Sequence, residues 1–179
     1  SLLAIFQGNI NTDPKDVERG KRAERFARSL LPLHKQAPPR VLMSNIYAGA
    51  GQWENKRQVW QEMEREGVKK IPGISYIELR GKVFDFKVAY NRNPQSDAIH
   101  TYLINLWKEM KAAGFTPNTA TVMHDMTEEE KDCHLCFHSE KLALAFGLMN
   151  TPEGTPLTIT QNLRVCPDCH EPQLYNTCQ

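Results

Sequence analysis

The chain has no apolar run long enough to span a bilayer, so no membrane partner is expected. It has no excess of either charge: 22 Lys and Arg stand against 21 Asp and Glu, a formal net charge of +1. Such a balance gives no overall field to trap nucleic acid, so any affinity for RNA or DNA must come largely from elsewhere. The chain opens at Ser1 without a methionine and lacks a charged leader, an apolar core and a small-residue cleavage site. It therefore reads as a fragment of a longer protein, with any targeting segment upstream. It also lacks an even set of cysteines. Cys133, Cys136, Cys166, Cys169 and Cys178 include two C-x-x-C pairs, with His134, His138 and His170 close by. That pattern suggests metal rather than disulfides.

What is present is ordinary for a globular protein, 40% hydrophobic and 24% charged over 179 residues, enough for one medium domain or two small ones. Residues 1–70 read as helical. Asp13 suits an N-cap, Pro14 the first helical position and Asp16 the positive end of the helix dipole. Val17, Ala23, Phe26, Ala27, Leu30 and Leu31 give an apolar face, and Pro32 stops the helix. The basic residues crowding the same helix fit a solvated face or an RNA contact. Pro38-Pro39 is expected to break the chain, with helices following over about 40–50 and 52–66. Tyr47, Gly51 and Trp53 at the corner suggest helical-repeat packing or an ordinary helical hairpin.

Residues 71–93 change character. Beta-branched and aromatic residues flank Arg80-Gly81-Lys82, which predicts a β-hairpin. Ser96 is expected to cap a helix over about 97–113, with Ile99, Leu103, Leu106, Trp107 and Met110 on its buried face. Thr127 with Glu130 forms a capping box that opens a helical region to about Met149, with a break before His138. Residues 157–160 read as a short strand, and Cys166 to His170 as a loop entering another helix. Helix, strand and helix in this order predict an α/β layered domain.

The chemistry concentrates in His138-Ser139-Glu140 and Cys166-Pro167-Asp168-Cys169. Zinc takes nitrogen and sulfur ligands tetrahedrally, and three protein ligands leave one position open for water. His138, Cys166 and Cys169 supply such a set, with Glu140 placed to move protons. A C-x-x-C alone also fits a closed structural site. H-x-E followed by C-x-x-C is the arrangement of zinc deaminases that attack cytosine or adenine, although Val165 stands where that motif has proline.

At these strings the chain resembles the DYW deaminase domain of plant organelle pentatricopeptide-repeat RNA editing factors. The resemblance covers residues 94–170, through His138-Ser139-Glu140-Lys141-Leu142-Ala143, Thr151-Pro152-Glu153-Gly154 and Asn162-Leu163-Arg164-Val165-Cys166-Pro167-Asp168-Cys169-His170. Residues 1–70 resemble the E and E-plus motifs, through Leu42-Met43-Ser44-Asn45-Ile46-Tyr47-Ala48, and Lys69 to Glu78 resembles the segment called the PG box. The resemblance implies an α/β, cytidine-deaminase-like layered domain over 94–179. An α-helical, TPR/PPR-type repeat-like segment over 1–70 and a β-hairpin over 71–93 precede it. It implies zinc-dependent hydrolysis of cytidine to uridine in single-stranded RNA of the mitochondrion or plastid. Upstream repeats would choose the target, and other RNA editing factors would be partners.

Two departures follow from the same resemblance. The family tail, with its own metal-binding residues, is not matched after His170, and Asn93 stands where the family has histidine. A second, structural zinc implied by the family would then have His170 with Cys133, Cys136 and Cys178 as a substitute set; Cys136 reads equally as a buried apolar residue. The alternative function is a catalytically weak or inactive interaction module that recruits other editing factors.

Overall fold

A computed structural model of the chain describes residues 14–88, 93–119, 122, 124–166 and 168–169. The expected cap at Asp13 lies outside them. The chain divides into two compact units, Ser1–Ile71 with Met123–Asp125, and Pro72–Val122 with Met126–Gln179. No helix among the described residues is long and apolar enough to cross a membrane.

The first unit is helical. Helix α1 spans Pro14–Leu30, α2 Ala37–Gly49 and α3 Trp53–Arg65, with a 3-10 turn at Leu33–Lys35. α1 packs on α2, and α2 on α3. Two expectations change here. Pro38 and Pro39 do not break the chain; they sit in the first turn of α2. The N–H groups there have no acceptor within the helix, so proline loses nothing and its fixed φ is already helical. The apolar face of α1 is also narrower than expected. Val17 is buried with Met43 and Ile46, whereas Phe26 and Leu30 are 60% and 66% exposed.

The second unit is an α/β layered body. Strand β1 spans Ser75–Leu79 and β2 Lys82–Phe86; α4 spans Ser96–Ala112, α5 Glu128–Cys136, α6 Ser139–Asn150 and β3 Ile159–Gln161. The sheet order is β2-β1-β3, all antiparallel, with Ser75 opposite Phe86 on one side and Gln161 on the other. Arg80 and Gly81, both at positive φ (52° and 73°), make the two-residue turn that the right-handed strand twist favours. β3 lies two residues later than expected.

Helix α6 lies on all three strands, and α4 packs against α6. Phe84 and Phe86 meet the Phe146 ring with centroids 4.7 and 5.3 Å away. Ile77, Ile99, Leu103, Trp107, Leu135 and Phe146 lie in one core, each burial contributing roughly 1.5–3 kcal/mol. Gly147 permits the approach of α6 to the sheet: a Cβ there would lie 2.7 Å from both Ile77 Cδ1 and Leu157 Cδ1. The capping box forms as expected, with Thr127 Oγ1 accepting from Glu130 N at 3.2 Å and Glu130 Oε2 from Thr127 N at 2.8 Å. Ser96 is not a cap. It is the first residue of α4, and its hydroxyl donates back to Asn93 O at 2.7 Å.

Candidate metal centre

The break between α5 and α6 sets up the centre. His138 is the N-cap of α6, with extended backbone (φ −62°, ψ 149°), and its carbonyl accepts the first helical bond from Leu142 N at 3.0 Å. Its side chain makes no capping bond. The ring instead faces sulfur: Nδ1 lies 3.1 Å from Cys169 Sγ and 3.4 Å from Cys166 Sγ. One turn-like link holds the two cysteines together, Cys169 N donating to Cys166 O at 3.1 Å and to Cys166 Sγ at 3.3 Å.

Glu140 completes the group. Donor atoms of His138, Glu140, Cys166 and Cys169 all lie within 4.8 Å of one another, the one such cluster among the described residues. Every residue from Ser139 to Gly147 is buried, as expected of a helix that is apolar on all its faces. Glu140 and Lys141 are the charged residues in that buried run, 5% and 3% exposed. A buried charge is costly without partners. Glu140 accepts from Ser139 Oγ at 3.0 Å, and Ser139 Oγ lies 2.9 Å from Ser75 Oγ on β1. The carboxylate is therefore steadied on one side by a hydroxyl chain and faces the cysteines and histidine on the other.

A hydrogen bond from Cys169, aided by His138, pulls the Cys166 thiol down to about 5. The same bond, with burial, pushes Cys169 up, so it keeps its proton. A metal would take the place of that proton. Zinc bond lengths of about 2.3 Å to sulfur and about 2.0 Å to nitrogen put tetrahedral donors roughly 3.5–3.8 Å apart. The observed nitrogen–sulfur separations, 3.1 and 3.4 Å, fall slightly below that range, so seating the ion needs a small outward shift of the donors, and the N,S,S donor set suits zinc.

The remaining expected residues fall elsewhere. Cys136 is in the hydrophobic core, and burial raises its thiol to about 12. Cys133 is exposed. Neither joins the cluster, and His170 and Cys178 lie outside the described residues. His134 is closer to the centre than its sequence position suggests, its ring edge-on to His138 at 5.6 Å. Sequence reasoning missed Ser75, Ser139, Lys141 and Asp168. The signal for Lys141 was available: a charged residue inside a run apolar on every helical face must be buried and paired.

A fold in which an N,S,S donor set and a carboxylate meet at one helix start suits metal-assisted hydrolysis. Comparison with known families narrows the class. Residues 114–177 match the DYW family of nucleic acid deaminases, and residues 15–78 match the E motif. In this chain, residues 114–177 therefore belong with the DYW family, with an E motif ahead of them.

Its relatives include three pentatricopeptide repeat proteins of Arabidopsis thaliana. Pentatricopeptide repeat-containing protein At3g57430, chloroplastic, is 45% identical over 130 residues, covering 73% of this chain and 15% of the relative. The putative protein At3g08820 is 42% identical over 169 residues, covering 94% of this chain and 25% of the relative. The protein At3g26782, mitochondrial, is 45% identical over 130 residues, covering 73% and 20%. The chain thus spans a quarter or less of the length of these relatives.

Proposed function

We propose that this chain deaminates cytidine to uridine in single-stranded organelle RNA by zinc-dependent hydrolysis. The observation that carries the reading is Glu140, a buried carboxylate within 4.8 Å of an N,S,S donor set. A purely structural metal site has no use for it. His138, Cys166 and Cys169 would hold the zinc, which when bound makes water a competent nucleophile near neutral pH. Glu140 takes one proton from the attacking water and delivers it to the ring nitrogen, then takes the second from the new C4 hydroxyl and delivers it to the departing amine. Ammonia and uridine are the products. Ser139, backed by Ser75, holds the carboxylate in register for both transfers.

Target choice would belong to repeats upstream, one base per repeat, and this suits the near-neutral charge of the chain. The relatives named chloroplastic and mitochondrial support an organelle location. The E motif helices are the natural surface for other editing factors. The test fuses this chain behind repeats of known RNA specificity and sequences the target cytidine, with Glu140→Ala as control. Conversion that disappears in the control supports the reading. A folded, zinc-loaded fusion without conversion would replace it with the non-catalytic recruiting module.

A further inference from the structure

Helix α6 carries two buried charges, and the reaction above uses one. The other, Lys141, is 3% exposed, and its carboxylate partner Asp168 is fully buried. The ammonium donates to Asp168 Oδ2 and, at 2.9 Å, to Leu135 O. It also lies 4.2 Å from the centre of the Trp107 ring. Asp168 Oδ1 accepts from Asn118 N at 2.8 Å. The pair is thus satisfied on every side.

Such a pair adds little net stability, because desolvation offsets the attraction and apolar residues of similar volume serve as well. Fold stability therefore leaves it unexplained. Its place in the chain explains it. Lys141 stands three residues after His138 on the first turn of α6, and Asp168 stands immediately before Cys169 and two after Cys166. The contact joins the helix that bears the nitrogen donor and the carboxylate to the segment that bears both sulfurs. No other ion pair among the described residues makes that connection.

We infer that the Lys141–Asp168 pair is a positioning device for the metal centre, fixing the spacing between His138 and the two cysteine sulfurs. The inference rests on the metal reading above. Neither residue touches reacting atoms; both act through the ligands next to them in the chain.

The test uses the full chain, stripped of metal. It is titrated with cobalt(II), whose visible absorption reports the geometry of an N,S site, and with zinc against a coloured chelator. Lys141→Met alone would leave Asp168 buried without a partner. The double variant Lys141→Met/Asp168→Asn removes both charges and keeps an acceptor for Asn118 N. The expected result is metal-free melting like that of the parent chain, zinc affinity lower by about 10–100-fold, and a shifted, broadened cobalt band. Parent-like affinity and cobalt spectrum in the double variant would overturn the positioning role. So would a loss of affinity matched by an equal loss of metal-free stability. If the double variant does not fold, Lys141→Gln/Asp168→Asn, which removes both charges and keeps a donor for Leu135 O, carries the same comparison. A parent chain that takes up neither metal would sink the metal reading, and this inference with it.

Discussion

Arg40 and Lys141 are buried cations, one in each unit, and they are satisfied differently. Arg40 on α2 is 1% exposed. Its Nη2 donates to Gln36 Oε1 at 2.9 Å and to Glu66 at the end of α3, while Nε and Nη1 find no partner among the described residues. Glu66 still reaches solvent. Lys141 has all its contacts inside the protein, and its carboxylate is fully buried. The first pair fastens one helix to the next; the second fastens the helix that bears Glu140 to the segment that bears Cys166 and Cys169. Burial alone does not distinguish a charge that holds a fold from one that serves a site. The identity of the segments it joins does.

That contrast can be broken by experiment. The largest effect is expected at Glu140. Glu140→Ala should lower deamination about 10²–10⁴-fold with melting and zinc content near the parent's; conversion measured in the repeat fusion checks it. Withdrawing metal with a chelator comes next. Amide exchange in α6 should speed up while exchange in α1 to α3 stays the same, and a uniform change across both units would erase the distinction. Gly147→Val forces its methyl groups onto Ile77 and Leu157. It should cost about 1–3 kcal/mol, read from the denaturant midpoint.

The smallest effect is at Glu66, whose carboxyl is held below its ordinary 4.5 first by the hydrogen bond from Arg40. A lowered folded value means that the pairing is fully present above 4.5 and fades as pH falls through the lowered value. Glu66→Gln should therefore flatten that acid limb of the melting curve and leave deamination at neutral pH unchanged. A steep acid limb in the variant would assign it to another carboxylate.

Much of this was legible in the sequence, for physical reasons. Thr127 and Glu130 cap their helix from within four residues, so the box is local and readable. The strings around His138 and Cys166 carried the family resemblance, and the helix–strand order between them carried the α/β layering. Ser75 was not legible, because it reaches Ser139 only through sheet pairing and no local pattern marks it. Asp168 read as a loop residue until the fold supplied a buried lysine opposite it. Pro38-Pro39 misled because proline punctuates a chain in two ways, and only the position of the preceding turn tells a break from a helix start. The exposed side of α1 was misjudged because periodicity marks which residues share a face and not whether anything covers it.

The central place of β1 bears on how the molecule assembles in time. Its pairing with β2 closes a two-residue turn and can form early. Its pairing with β3, extended by the Asn162 side chain accepting from Ile74 N across 88 residues of chain, requires a long loop to close, which costs more entropy and comes late. Cys166 and Cys169 follow β3 directly, and His138 precedes it. His138 thus lies inside the stretch that this pairing spans and both cysteines lie just beyond it, so the donor set is expected to be completed with that closure and not before it.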